Sequence, residues 1–251
     1  MLKEERQNLI LERLRKNGKV LAAELSRHFG VSEDTIRRDL RELDEAGKMQ
    51  RVHGGGLPHS PAIISFKERL KQSPAAKVAI ARAAVKHIHN GQTIILDGGT
   101  TNLYVAQSLP PDLNATIVTN SPVIADTLSD HATVEVLLIG GRIFKKSRVT
   151  TGISTVAAFH AIRADVCFLG ICSLHPEVGI STDLYEEAFV KEAMLRGSAE
   201  VFALAAAEKL GTASSYVVAP IASLTHLITE LEAPEALILP YREAGIQVEQ
   251  V

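Results

Sequence analysis

The residues Asp97-Gly98-Gly99-Thr100-Thr101-Asn102 follow an apolar run, Thr93–Leu96, and precede a helical stretch, Leu103–Leu109. A strand that ends on a carboxylate, turns on two glycines and opens a helix with hydroxyls presents free N–H groups to an anion such as phosphate. The same residues equally suit an ordinary strand–turn–helix junction capped by threonine. Three other apolar runs end in small or polar residues: Val118 before Thr119-Asn120-Ser121, Ile139 before Gly140-Gly141, and Leu169 before Gly170. Gly152 closes the basic stretch after Gly141. Recurrence of such ends predicts one crevice beyond the carboxyl ends of the strands. The basic run Arg142, Lys145, Lys146 and Arg148 reads as a solvated loop.

A second constellation lies near the N-terminus. Ser32 caps a helix running to about Ala46, and Ile36, Leu40 and Leu43 form its inner face. That phase turns Asp34, Arg38, Arg41 and Glu45 outward, with Thr35 and Arg37 on the flanks. A helix in a major groove uses arginine against guanine edges and phosphates, with small hydroxyls near its start. Ser32, Thr35, Arg37, Arg38 and Arg41 supply these groups, and Arg51 and His53 just beyond could reach the backbone or the minor groove. The competing reading is a solvated face balanced by Asp34, Asp39, Glu42 and Glu45. The short helix and glycine turn just before the serine cap favour the DNA reading.

The elements that would position these groups follow from periodicity. Helices are expected over Glu4–Arg15, ended by Asn17-Gly18, over Ala22–Phe29, and from Ser32 to Ala46, closed by Gly47. Lys19-Val20 can form a very short strand, and Lys48–Gly56 reads as a wing. Two helices joined by a short glycine-containing turn are a helix-turn-helix pattern. Gly54–Pro61, rich in Gly and Pro, reads as a linker. Beyond it, strands are predicted over Thr93–Leu96, Ala115–Val118, Val134–Ile139, Val166–Leu169, Val201–Ala205, Tyr216–Val218 and His226–Ile228. Helices are predicted between them over Ala75–His89, Leu103–Leu109, Val123–Leu128, Ser154–Ala161 and Glu186–Arg196. The alternation argues for an α/β fold with a mainly parallel sheet. The expected organisation is a DNA-binding head over 1–57, a linker over 58–74 and a larger α/β domain over 75–251.

Composition narrows the function classes. The 251 residues are 46% hydrophobic and 22% charged, an ordinary globular mix. Neither a secretory signal nor a membrane-spanning run is visible, so a cytoplasmic protein is expected. Cys167 and Cys172 read as buried, reduced thiols and are too few for a disulfide framework or an all-cysteine zinc site. His87 and His89 face apart on a helix, so neither a metal nor another cofactor is expected. Net charge is −2, with 12 basic against 10 acidic residues through Ser60 and 15 against 19 beyond it. That balance argues against a purely architectural, nonspecific DNA binder.

The segment Val31–Gly55 resembles the N-terminal fingerprint of the DeoR family of bacterial transcriptional regulators. V-S-x-x-T-I-R-R-D-L stands at Val31–Leu40, L-x-x-x-G at Leu43–Gly47, and R-x-H-G-G at Arg51–Gly55. The larger domain is similar too: D-x-G-T-T at Asp97–Thr101, T-N at Thr119–Asn120, G-G at Gly140–Gly141, A-D-x-x-F-L-G at Ala164–Gly170, G-I-S-T at Gly179–Thr182 and E-x-x-x-V-K-x-x-M at Glu186–Met194. The resemblance implies a winged helix-turn-helix and a sensor domain of the ribose-5-phosphate isomerase and CoA-transferase fold. It implies a repressor of a carbohydrate operon, relieved by a phosphorylated sugar or related metabolite. It assigns Asp97, Gly98, Gly99, Thr100, Thr101 and Asn102 to the phosphate or sugar loop, and Thr119, Asn120, Gly140, Gly141 and Gly152 to the opposite wall. Lys191 and Lys209 become charged contacts, with a surface helix lysine as the alternative for Lys191. One departure stands out: Ala206 and Glu208 occupy positions where the family commonly has Asp and Ser.

The competing enzyme reading is a sugar-phosphate isomerase, which needs a carboxylate base beside the sugar. The stretch after Gly140-Gly141 is basic, and Ala206 removes a further carboxylate, so no catalytic residue is assigned. A single small head reads too little DNA alone, so a homodimer or homotetramer is expected. The linker Gly54–Pro61 would carry the ligand signal to paired heads.

Overall fold

A computed structural model describes residues 1–251. The head contains α1 (Lys3–Asn17), β1 (Val20–Leu21), α2 (Ala22–Phe29), α3 (Glu33–Glu45), β2 (Gln50–Val52) and β3 (Gly55–Leu57). Ile10, Leu14, Leu25, Ile36, Leu40, Leu43 and Met49 form its own apolar core. The wing is a three-stranded antiparallel sheet in the order β1-β3-β2. Gly55–Leu57 of the Gly54–Pro61 run is therefore strand. At Gly55 a Cβ would run into the Val20 carbonyl, and at Gly56 into the Met49 side chain. Gly55 thus serves close backbone approach, a use that composition does not distinguish from flexibility.

The segment after the wing is also ordered. Ser65 caps the short α4 (Phe66–Arg69) through a capping box with Glu68. Phe66 is buried, and Lys77 donates to the carbonyls of Arg69 and Gln72.

The larger body contains α5 (Pro74–Val85), β4 (Thr93–Leu96), α6 (Thr100–Gln107), β5 (Thr116–Thr119), α7 (Pro122–Leu128) and β6 (Glu135–Leu138). A hairpin follows, β7 (Arg142–Phe144) and β8 (Val149–Thr151), then α8 (Ile153–His160) and β9 (Ala164–Gly170). A second hairpin, β10 (Ser173–His175) and β11 (Gly179–Thr182), precedes α9 (Tyr185–Arg196) and β12 (Ser198–Leu204). The chain then forms β13 (Tyr216–Ala219), β14 (His226–Thr229), α10 (Glu235–Glu243) and β15 (Gln247–Gln250).

Seven parallel strands make the central sheet in the order β15-β14-β12-β9-β4-β5-β6. Alternation along each strand feeds two cores. Ile94, Leu96, Val166, Phe168, Phe202 and Leu204 pack toward α5, α6 and α7. Ile95, Cys167, Leu169, Val201 and Ala203 pack toward α8, α9 and α10. From β4 the chain builds outward through β5 and β6, then returns to β9 and builds the other way. The order thus reverses between β4 and β9, the place where α/β sheets open a crevice. No helix is long and apolar enough to cross a membrane.

Six of the seven expected strands lie in this sheet. The seventh, Tyr216–Val218, pairs antiparallel with β11 in a separate sheet, β10-β11-β13. Periodicity missed α10, which contains Pro240, and β15, a short polar edge strand. The expected basic loop is the β7–β8 hairpin. Lys146 bonds Asp183 at 2.5 Å, Arg142 pairs with Glu186, and the Arg148 guanidinium lies 5.4 Å from the Phe66 ring centroid. Tertiary partners on α4, on α9 and at Asp183 just before it, invisible in the local sequence, pin these cations.

Candidate functional site

In the head, α3 presents the expected face. The Ser32 hydroxyl accepts from the Thr35 amide at 3.2 Å and lies 2.9 Å from the Thr35 hydroxyl. Arg37, Arg38 and Arg41 are exposed. Arg37 is held by Glu33 at 2.8 Å and Asp34 at 3.7 Å, whereas Arg38 and Arg41 have no ion-pair partner. The balancing acids turn elsewhere. Asp39 is buried and takes two hydrogen bonds from Arg6 of α1, at 2.5 and 3.0 Å. Glu42 is held by Lys3 at 2.6 Å and by Gln7 at 2.7 Å, and these contacts, Lys3 foremost, lower its pKa. The solvated-face reading therefore fails for Asp39 and Glu42: α1 takes both carboxylates and leaves two free arginines outside. Arg51 and His53 are exposed on the wing and share a notch with Arg37 between α3 and the hairpin.

In the body, a pocket opens beyond the carboxyl ends of β4, β9 and β12. Gly98–Asn102, Gly170–Cys172, Ala62, Arg69, Ser147, Thr182, Asp183, Glu187, Lys191, Leu204 and Lys209 line it. Gly99 precedes α6 with φ +154°, a conformation that side chains rarely adopt. The amides of Thr100, Thr101 and Asn102 then start the helix without backbone acceptors. The Asn102 amide donates to the carbonyls of Asp97 at 2.7 Å and Phe168 at 2.9 Å, locking β4 to β9, while its buried Oδ1 has no partner.

Asp97 does not face the pocket as a free carboxylate. Its Oδ2 accepts from Lys191 Nζ and from the Gly170 amide at 2.9 Å. Lys191 is neither a surface lysine nor a free contact. It is buried, donates to the Gly170 carbonyl at 2.7 Å, and lies 3.6 Å from Glu187 Oε1. Burial alone would lower the Lys191 pKa, but Asp97 and Glu187 outweigh it and hold the amine above its ordinary value. Burial, with Asp97 and Asp183 adding, raises the Glu187 carboxyl above the usual range against the pull of Lys191. Thr182 donates to Glu187 at 3.1 Å.

Lys209 is the contrasting cation. It is buried in the pocket wall and its amine has no hydrogen-bond or ion-pair partner. Burial, with Lys77 and Arg69 adding, pushes its pKa down to about 8. The pocket thus brings both signs of charge together, Lys209, Arg69 and Lys191 with Asp183 and Glu187, beside the start of α6.

Five expected wall residues lie outside the lining. Asn120 Oδ1 accepts from the Gly98 amide at 3.3 Å and its Nδ2 donates to the Thr150 carbonyl at 3.1 Å, so it braces the loop from behind. Thr119 Oγ1 accepts from the Ser121 amide at 3.1 Å. Gly140, Gly141 and Gly152 build the base of the β7–β8 hairpin, where Thr155 bonds the Gly140 carbonyl at 2.9 Å and leaves no room for a side chain at Gly141. The hairpin turn at Ser147 forms that wall instead. Sequence reasoning missed Arg69 and Ala62, which stand in the presumed linker, and the carboxylates of Asp183 and Glu187. Asp183 directly follows the Gly179–Thr182 motif and Glu187 lies inside the Glu186–Met194 motif, which was the signal available. Cys172 is half-buried at the pocket rather than in the core; both thiols are free, and burial raises both pKa values. No group of three His, Cys, Asp or Glu is arranged to hold a metal ion.

A winged helix-turn-helix with free arginines on its third helix, joined to an α/β domain with a polar pocket, defines a DNA-binding transcriptional regulator with a small-molecule sensor domain. Residues 6–59 match the family model of the DeoR-like helix-turn-helix domain, and residues 72–231 match that of the DeoR C-terminal sensor domain. An HTH-type transcriptional regulator, GolR, of Listeria innocua is 32% identical over 97% of each chain. The glycerol-3-phosphate regulon repressor of Escherichia coli is 31% identical over 99% of each. Among solved structures, a ribose 5-phosphate isomerase A from Methanocaldococcus jannaschii overlaps 55% of each chain with a TM-score of 0.40 at 14% identity. The chain belongs to the DeoR family of transcriptional regulators. That family consists of regulators and not enzymes.

Proposed function

We propose that the chain is an operator-binding repressor of a carbohydrate-related operon in the cytoplasm, released from DNA by a small phosphorylated sugar or related metabolite. Residues 1–57 act as the reading head and residues 75–251 as the sensor, with 58–74 between them. Ser32, Thr35, Arg37, Arg38 and Arg41 meet the major groove, and Arg51 and His53 meet the flanking backbone. Two heads are needed for a specific operator, so the working form is a homodimer or homotetramer.

The observation that carries the ligand class is Lys209, a buried lysine whose amine has no direct hydrogen-bond or ion-pair partner, in the pocket wall with Arg69 and the start of α6. Such a cation is costly unless an anion joins it. The phosphate therefore sits beside Lys209, and sugar hydroxyls face Thr182, Asp183, Glu187 and the orphaned Asn102 oxygen. The regulon named for the Escherichia coli relative supports a phosphorylated ligand.

A thermal-shift panel of phosphorylated sugars and polyols, each beside its unphosphorylated form, tests this reading. A ligand at about 100 times its Kd adds roughly 2.7 kcal/mol, which raises Tm by about 5–10 °C for a chain of this size. A shift with a phosphorylated member and none with its partner supports the assignment. Equal shifts for both forms, or none in the panel, refute it.

A further inference from the structure

Two stretches of chain join the pocket to the wing, and they end on neighbouring strands of one small sheet. The first is the strap after β3. Within five residues of Leu57, the Pro58 carbonyl accepts from the Ala213 amide at 3.5 Å, His59 bridges to Ala213, and the Ser60 hydroxyl donates to the Cys172 carbonyl. The strap then reaches Ala62 in the pocket wall. The second stretch is the β10–β11 hairpin. Its base supplies Cys172, Thr182 and Asp183 to the same wall. Its tip carries Glu177, 3.3 Å from Lys19, the residue that precedes β1. Since β1 pairs with β3, strap, pocket wall, hairpin and wing close a ring.

The ring is stiff. Gly55 and Gly56 are pressed against Val20 and Met49, and Pro58 and Pro61 fix their own backbone. The buried Ser60 hydroxyl also accepts from the Ala62 amide at 3.1 Å. Tyr241 donates to the Leu174 carbonyl at 2.8 Å and fastens β10 to α10.

We propose that this ring is the coupling element between pocket and DNA. The proposal rests on the anion-pocket reading above. A ligand that draws Ala62 and the Cys172–Asp183 wall together shifts β3 through the strap and β1 through the hairpin tip. The wing and α3 move as a unit, whereas a slack tether would transmit nothing. The ligand's leverage is its differential affinity for the two ring geometries.

The test is hydrogen exchange on the full chain with and without inorganic phosphate. In the wild type, amides at Thr100–Leu103 and at Gly55–Leu57 should both change exchange rate by about threefold or more. In Ser60→Ala/Glu177→Lys the pocket response should persist and the Gly55–Leu57 response should vanish. Adding Lys19→Glu to that variant should recover part of it. A wild type whose pocket responds while β3 stays silent overturns the ring, as does a double variant whose β3 still responds in full. If phosphate leaves Thr100–Leu103 unchanged, the anion pocket itself is wrong and the ring's role goes with it.

Discussion

The head buries one ion pair and the body buries a lysine shared by two carboxylates, and in each the pairing decides which cation is left over. In the head, Arg6 of α1 takes Asp39 out of the α3 surface, and Arg38 and Arg41 remain exposed without counter-charges. In the body, Asp97 and Glu187 engage Lys191, and Lys209 remains buried without a direct ion-pair partner. The leftover cations differ in solvent. Exposed arginines keep their charge and act on a polyanion through water and counterion release. A buried lysine sits near its titration point, and a matching anion replaces the water it lacks.

The largest effect that would break this comparison is on stability. Asp97→Ala leaves the buried Lys191 with Glu187, 3.6 Å away, as its one carboxylate, which costs roughly 3 kcal/mol and lowers Tm by about 6–12 °C. Calorimetry should also show that adding Lys191→Met returns much of the loss. Next, Arg38→Ala and Arg41→Ala should each weaken operator binding by about 10- to 100-fold without moving Tm. Arg37→Ala, already held by Glu33, should cost less in the same gel-shift titration.

The third effect is a pH dependence. Lys209 loses its proton near pH 8 when folded and near 10.5 when unfolded. Between those values the unfolded chain holds more protons, so this group's contribution to stability rises with pH. Anion affinity runs the opposite way and should fall by up to about tenfold per pH unit above about pH 8. Lys209→Arg should flatten that profile in calorimetric titrations with phosphate. The smallest effect belongs to Lys19→Ala, whose exposed partner Glu177 makes a surface pair, so Tm should move by about 2 °C or less.

Much of the fold was legible because its signals are local. The α3 stripe of Ile36, Leu40 and Leu43, the Ser32 cap and the apolar runs of β4, β5, β9 and β12 all follow from period and capping. The Asp97–Asn102 loop was legible for the same reason. The residues that were misplaced depend on distant partners. Whether Lys191 or Lys209 stays free is set by Asp97, 94 residues from Lys191 in the chain. Asn120 and Gly141 look like wall residues but brace the loop and hairpin instead. Within the Gly-Pro run, Gly55 belongs to the wing and not to the linker, and composition alone did not separate the two, because a glycine needed for close packing has the same composition as one needed for freedom. Ala206 is buried at the end of β12, and pocket carboxylates are supplied from α9 and the β11 end instead.

The sheet order also has a consequence in time. The head is built from neighbours in sequence, and its core is complete by Leu57. In the body, β4 must wait for β9, about 70 residues later, and the far edge waits for β15 at Gln247–Gln250. Local contacts form fast and remote strand pairing forms slowly. At a synthesis rate of about 5–20 residues per second, the head precedes the finished sheet by roughly 10–40 s. A newly made chain therefore carries a folded reader before its sensor exists, and for that interval it is blind to ligand.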